Sequence, residues 1–93
     1  MTTLVNRFNA QPGKEAELLT TAKGWKDVIL ANPDCSSFDV FTDQDSPASV
    51  VLIEEWASKD AHQAFMASIP EEMMAESMKL MTGMPEGTYL DHA

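Results

Sequence analysis

The chain has 93 residues, 44% of them hydrophobic and 23% charged, a globular composition with room for one domain (residues 1–93) and a thin core. Fifteen acids against six bases give a formal net charge of −9, and a surface of that sign repels phosphate backbones and anionic headgroups, so neither nucleic acid nor a membrane surface is expected as a partner. A single cysteine, Cys35, excludes an internal disulfide and every multi-cysteine motif, and no apolar run approaches the roughly 20 residues of a bilayer span.

The opening segment, MTTLVNRFNAQPG, carries no basic leader followed by a long apolar stretch, so a cytoplasmic location is the expectation. Within it Leu4, Asn6 and Phe8 alternate with Val5, Arg7 and Asn9, the period of two of a strand. One face of that strand therefore carries an amide between two large apolar groups. Pro12-Gly13 breaks it, and from Lys14 the spacing of Leu18, Ala22, Trp25 and Ile29 predicts an amphipathic helix that Asn32-Pro33 stops. Residues 35–42, CSSFDVFT, alternate again and predict a second strand. DQDSP reads as a turn, and ASVVLIEEW as a third strand with consecutive apolar residues at its center, the mark of a strand buried on both faces. Ser58 is placed to cap a second helix bearing Ala61 and Phe65, with Ile69 at or past its end. After Pro70, EEMMAESMKLMTG predicts a third helix with Gly83 just past its end, and GTYLD at 87–91 a short last strand.

Strand, helix, strand, strand, helical pair, strand is the order of an α+β, ferredoxin-like sandwich: a four-stranded antiparallel sheet with helices on one face. The other face stays open, yet the third strand is apolar on both sides. Leaving that face in water exposes a large apolar patch, so two copies are expected to meet sheet to sheet in a homodimer.

PGKEAEL opening the first helix, LIEEW closing the third strand and SKDAHQAFMAS after it together resemble the antibiotic biosynthesis monooxygenase family of dimeric α+β barrels. The most specific piece is E-x-W-x-S at Glu54, Trp56 and Ser58. The resemblance covers nearly the whole chain and implies a barrel dimer. It also implies an activity seen in several members, oxidation of a small aromatic quinol, anthrone or polycyclic phenol by molecular oxygen as co-substrate, with no cofactor. Two departures stand out. Many members carry a histidine nine residues after the strand-ending tryptophan, where this chain has Phe65. A haem-degrading branch shares the Asn6-Arg7 pair but places its axial histidine where this chain has Ala75, so the resemblance does not extend to haem ligation by that scheme. A noncatalytic barrel for small hydrophobic ligands is the alternative reading, and a haem protein the second alternative.

Triplet oxygen reacts slowly with closed-shell molecules, so without metal or flavin the substrate must supply the electron as a phenolate or enolate. The protein then has to bind a flat ring in a dry pocket, favour its deprotonated form and stabilise charge developing on oxygen. Asn6, Trp56 and Glu54 are the catalytic candidates. The Asn6 amide, between Leu4 and Phe8, is placed to donate to a substrate oxygen or to satisfy nearby backbone. The Trp56 indole suits stacking on a planar ring or anchoring the core. By parity Glu54 shares a face with Leu52 and Trp56. As a rim residue it would pair with a base such as Arg7, whereas burial would raise its pKa and let it take a phenolic proton. Phe8 and Phe65 are candidates to shape the pocket, and so are Met66, Met73 and Met78, drawn from six methionines within residues 66–84. His62 lies about 60° around its helix from Phe65, away from Ala61 and Ile69, and is expected on the surface. His92 is expected to fray with the terminus, and two histidines so far apart point to no metal site.

Overall fold

The computed structural model describes all of residues 1–93. The elements run β1 (Thr2–Asn9), α1 (Glu15–Leu30), β2 (Cys35–Asp43), β3 (Ser46–Trp56), α2 (Lys59–Ser68), α3 (Glu71–Met78) and β4 (Glu86–Asp91). The strands form one antiparallel sheet in the order β2-β3-β1-β4, the ferredoxin-like arrangement expected from the element order. No helix is long and apolar enough to cross a membrane.

Alternation sorts the strands into two faces. Leu4 and Phe8 of β1, Phe38 of β2 and Val50, Leu52 and Trp56 of β3 are buried under the helices. α1 contributes Leu18 and Ala22 to that core, with Leu19, Trp25 and Ile29 half-buried beside them, so its predicted stripe is the one that packs. Gly13 makes the turn into α1 at φ +84°, a left-handed conformation that a glycine adopts without strain. Ser58 caps α2 as its position implied, its hydroxyl accepting from the Ala61 N–H at 3.0 Å.

The β2–β3 connection is tighter than the five-residue turn read from DQDSP, because Asp43 already pairs with Ser46. Only Gln44 and Asp45 lie between, and the Asp43 carboxylate accepts from the Asp45 N–H at 2.9 Å. No non-glycine residue has a positive φ, so the turn is not of the mirror-image type that fits a twisted hairpin directly, and a register shift at Thr42/Asp43 accommodates it.

The second difference is larger. α3 ends at Met78, short of the expected end before Gly83. The chain turns back there to pair with the sheet: Met81 bridges Ala10, the Gln11 N–H donates to the Leu80 carbonyl at 2.9 Å, and the Thr82 N–H donates to the Asn9 carbonyl at 2.7 Å. Those bonds lie some 70 residues apart in sequence, and they compete successfully with further turns of helix.

The open face carries Val5, Val51 and Ile53 half-buried at its center, with Phe41 at 48% exposure and Leu90 at 45% toward its edges. Arg7 also lies on this face and pairs with Asp43 at 3.1 Å. The pairing considered between Arg7 and Glu54 does not form, since strand parity puts the two on opposite sides of the sheet.

Candidate functional site

Between the covered face of the sheet and the three helices lies a cavity of about 490 Å³, within the range of small-molecule sites. Its walls are mainly apolar. Phe8, Phe65, Met66, Met73 and Met78 all line it, as their sequence positions suggested, and so do the other three methionines of the 66–84 segment. α3 has no buried residue of its own, and its methionines form the outer wall. No lysine or arginine lines the cavity.

Three polar groups reach the floor. Asn6 sits on β1 opposite Leu52 of β3 and Gly87 of β4. Its amide has no hydrogen-bond partner within the chain, and because no enclosed polar side-chain atom lacks a partner, it keeps access to the cavity that it lines. Glu54 is one diagonal step away, opposite Leu4, with Cβ atoms about 7 Å apart by strand geometry. At 2% exposure it is buried, between Leu4 and Phe38 on the neighbouring strands and beside Trp56, and the rim reading is corrected. One carboxylate oxygen, Oε1, accepts from the Trp56 indole N–H at 3.0 Å, which leaves Oε2 for the cavity. Burial raises the pKa of this carboxyl, and the Trp56 hydrogen bond partly opposes that rise.

Trp56 is fully buried and does not line the cavity. Its N–H is spent on Glu54 and its ring is enclosed by His62 and Phe65, with centroids at 5.1 and 5.5 Å. Stacking on a ligand is therefore corrected to a supporting contact: Trp56 fixes the carboxyl of Glu54, which lines the cavity.

His62 was expected on the surface and is 8% exposed. Its ring lines the cavity, and Nδ1 lies 2.6 Å from the Tyr89 hydroxyl of β4. Burial lowers its pKa, which favours the neutral imidazole. Helical spacing within α2 held no sign of this, because the partner that draws His62 inward comes from a strand 27 residues later. Cys35 is buried beside Leu4 and Trp56. Its thiol pKa is pushed up, first by burial and then by the Glu54 charge. His92 lies within 3.2 Å of the Thr3 hydroxyl, on the far face from the cavity.

Of the four glycines, only Gly87 has neighbours that an added Cβ would meet. A Cβ there would stand 3.0 Å from the Asn6 side-chain oxygen and 3.6 Å from a Leu4 methyl. Gly87→Ala is expected to displace the Asn6 amide while leaving the edge strand folded. The measurable outcome is an unchanged melting temperature within a few degrees and reduced ligand affinity or turnover; a variant indistinguishable from wild type in both would mean that the amide needs no fixed place.

A four-stranded antiparallel sheet whose helices cover an apolar cavity is an α+β, ferredoxin-like fold. The family model for antibiotic biosynthesis monooxygenase matches residues 1–76, and the chain belongs to that family. Among solved structures, it is similar to a crystal structure of an antibiotic biosynthesis monooxygenase, at 19% identity and TM-score 0.83, covering 100% of this chain and 99% of that one. A Mycobacterium tuberculosis structure is 22% identical with TM-score 0.84 (99% and 94% covered), and one from Pseudomonas aeruginosa is 16% identical with TM-score 0.84 (99% and 93% covered). At these identities the likeness carries the fold alone. No curated protein matches the chain significantly.

Proposed function

We propose that the protein is a monooxygenase that oxidises a small, uncharged aromatic quinol, anthrone or polycyclic phenol with molecular oxygen, using no metal or prosthetic group. The observation that supports this reading is an apolar cavity whose polar floor consists of a free amide, a buried carboxyl of raised pKa and an imidazole of lowered pKa. An anionic ligand would find no cation there, whereas a neutral phenol finds both a donor and a proton acceptor.

In this reading Glu54 takes the phenolic proton through Oε2, its raised pKa making it a stronger base than an exposed carboxylate. Asn6 donates to the resulting phenolate oxygen. The phenolate passes one electron to oxygen, and the radical pair combines at a ring carbon that bears hydrogen, giving a peroxide. The peroxide takes up a proton, and cleavage of its O–O bond expels hydroxide, which leaves as water with the proton of that carbon. The substrate has then lost two hydrogens and gained one oxygen atom as a carbonyl, and the second oxygen atom is in water. The apolar walls serve this sequence by excluding solvent from the radical pair.

Oxygen uptake by the metal-free protein with a panel of quinols and an anthrone, corrected for autoxidation and run beside Asn6→Ala, tests the reading. Saturable uptake that Asn6→Ala lowers by about 10-fold to 10³-fold is expected. Uptake no faster than autoxidation across the panel would instead favour a noncatalytic carrier of small hydrophobic molecules, a reading supported by the methionine wall of α3, which adapts to irregular ligands. Haem does not fit the residues present: Ala75 is exposed, and no lysine or arginine lines the cavity to meet propionates.

The proposal includes a homodimer formed through the open sheet face, supported by Val5, Val51, Ile53, Phe41 and Leu90 lying together there, and a cytoplasmic location.

A further inference from the structure

The reaction above leaves the source of the peroxide's proton unassigned. His62 and Tyr89 have no task in that reaction, yet their geometry is that of a proton-transfer pair. The His62 Nδ1 lies 2.6 Å from the Tyr89 hydroxyl, and the ring is held edge-on against Trp56 at 5.1 Å. Its other nitrogen, Nε2, has no partner within the chain and keeps access to the cavity that the ring lines. Tyr89 is half-buried and does not line the cavity, so it stands on the solvent side of the histidine. It also lies beyond the residues that the family model matches.

We propose that His62 is the catalytic proton donor to the peroxide oxygen, and that Tyr89 is its positioning residue and its connection to solvent; this rests on the monooxygenase reading. With the Tyr89 O–H donating to Nδ1, the hydrogen of the neutral imidazole sits on Nε2, facing the cavity. As the Nε2 proton passes to the peroxide, Tyr89 passes its own to Nδ1 and takes another from water. The imidazole remains neutral throughout. That matters because burial disfavours an imidazolium here, so a donor that had to charge first would be poor. Burial and then the Glu54 charge raise the Tyr89 pKa, so Tyr89 cannot rest as a phenolate and must regain a proton from water as it gives one up. The Lys59 ammonium of α2 stands 5.1 Å over the Tyr89 ring. Glu54, with its proton affinity raised, accepts the phenolic proton.

The test uses the full chain in the oxygen-uptake assay with any quinol that wild type turns over, comparing Tyr89→Phe, His62→Ala and Glu54→Gln. Tyr89→Phe keeps the ring and its packing, so it separates the proton path from the fold. Expected results are a kcat roughly 10-fold lower in Tyr89→Phe with KM nearly unchanged, a fall of about 10²-fold or more in His62→Ala, and partial rescue of His62→Ala, but not of Glu54→Gln, by added imidazole. Wild-type turnover with kcat unaltered in Tyr89→Phe and His62→Ala would overturn the proposal and leave the monooxygenase reading standing. Absence of wild-type turnover across the panel would overturn both.

Discussion

Glu54→Gln is expected to lower turnover by about 10²-fold or more while making the fold relatively more stable as the pH rises. The first effect follows from removing the proton acceptor at the cavity floor. The second follows from linkage. Burial lifts the folded-state pKa of Glu54 above its ordinary value of 4.5, with the Trp56 N–H opposing but not cancelling the rise. Between the unfolded and folded values the native chain holds the extra proton, so raising the pH through that window draws the equilibrium toward the unfolded state. The contribution is fully present below the unfolded value and is lost as the pH passes the folded one. Glutamine does not titrate, and its carbonyl still accepts from Trp56. Thermal denaturation across the acid-to-neutral range should therefore show the stability difference, variant minus wild type, growing with pH and then levelling off. Parallel curves would mean that Glu54 titrates as an exposed acid does. An acid that weakens the fold and serves the chemistry is a familiar trade between stability and activity.

Ile53→Glu is expected to convert the proposed homodimer to monomers with the fold intact. Ile53 lies at the center of the open face, with Val5 and Asp39 as its cross-strand neighbours. In a monomer the new carboxylate meets water and its repulsion with Asp39 is screened. In a sheet-to-sheet dimer two such carboxylates are desolvated, each at a penalty of several kcal/mol, which is enough to weaken association by about 10³-fold or more. Sedimentation or light scattering reads the mass, and circular dichroism reads the fold. A wild-type protein that is monomeric at micromolar concentration, or a variant that still dimerises, would remove the open face from consideration as the interface.

What could be read in advance followed the range of the interactions responsible. The two faces of β1, the stripe of α1 and the Ser58 cap are set by residues within a few positions of one another, and each was legible. The cavity's apolar lining was legible for the same reason, since Phe8, Phe65 and the methionines lie on faces that local periodicity defines. α3 was read too long because the bonds that stop it come from β1, at the other end of the chain. His62 was misplaced because Tyr89 draws it in from β4, and Glu54 was left between two readings because its burial depends on Leu4 and Phe38 from the neighbouring strands. Asn6 was recognised from an amide standing between two core residues. The space that Gly87 leaves beside it carried no signal in a single sequence.

The outer wall of the cavity has a consequence for the protein's stability. α3 has no buried residue, and its flanking segments hold it in place, Pro70 at one end and the Met81–Ala10 bridge at the other. Its methionines face a space that no side chain of the chain itself fills. A flat apolar ligand of the proposed kind would add a layer to the hydrophobic core there, so its binding is expected to raise the melting temperature as its concentration rises.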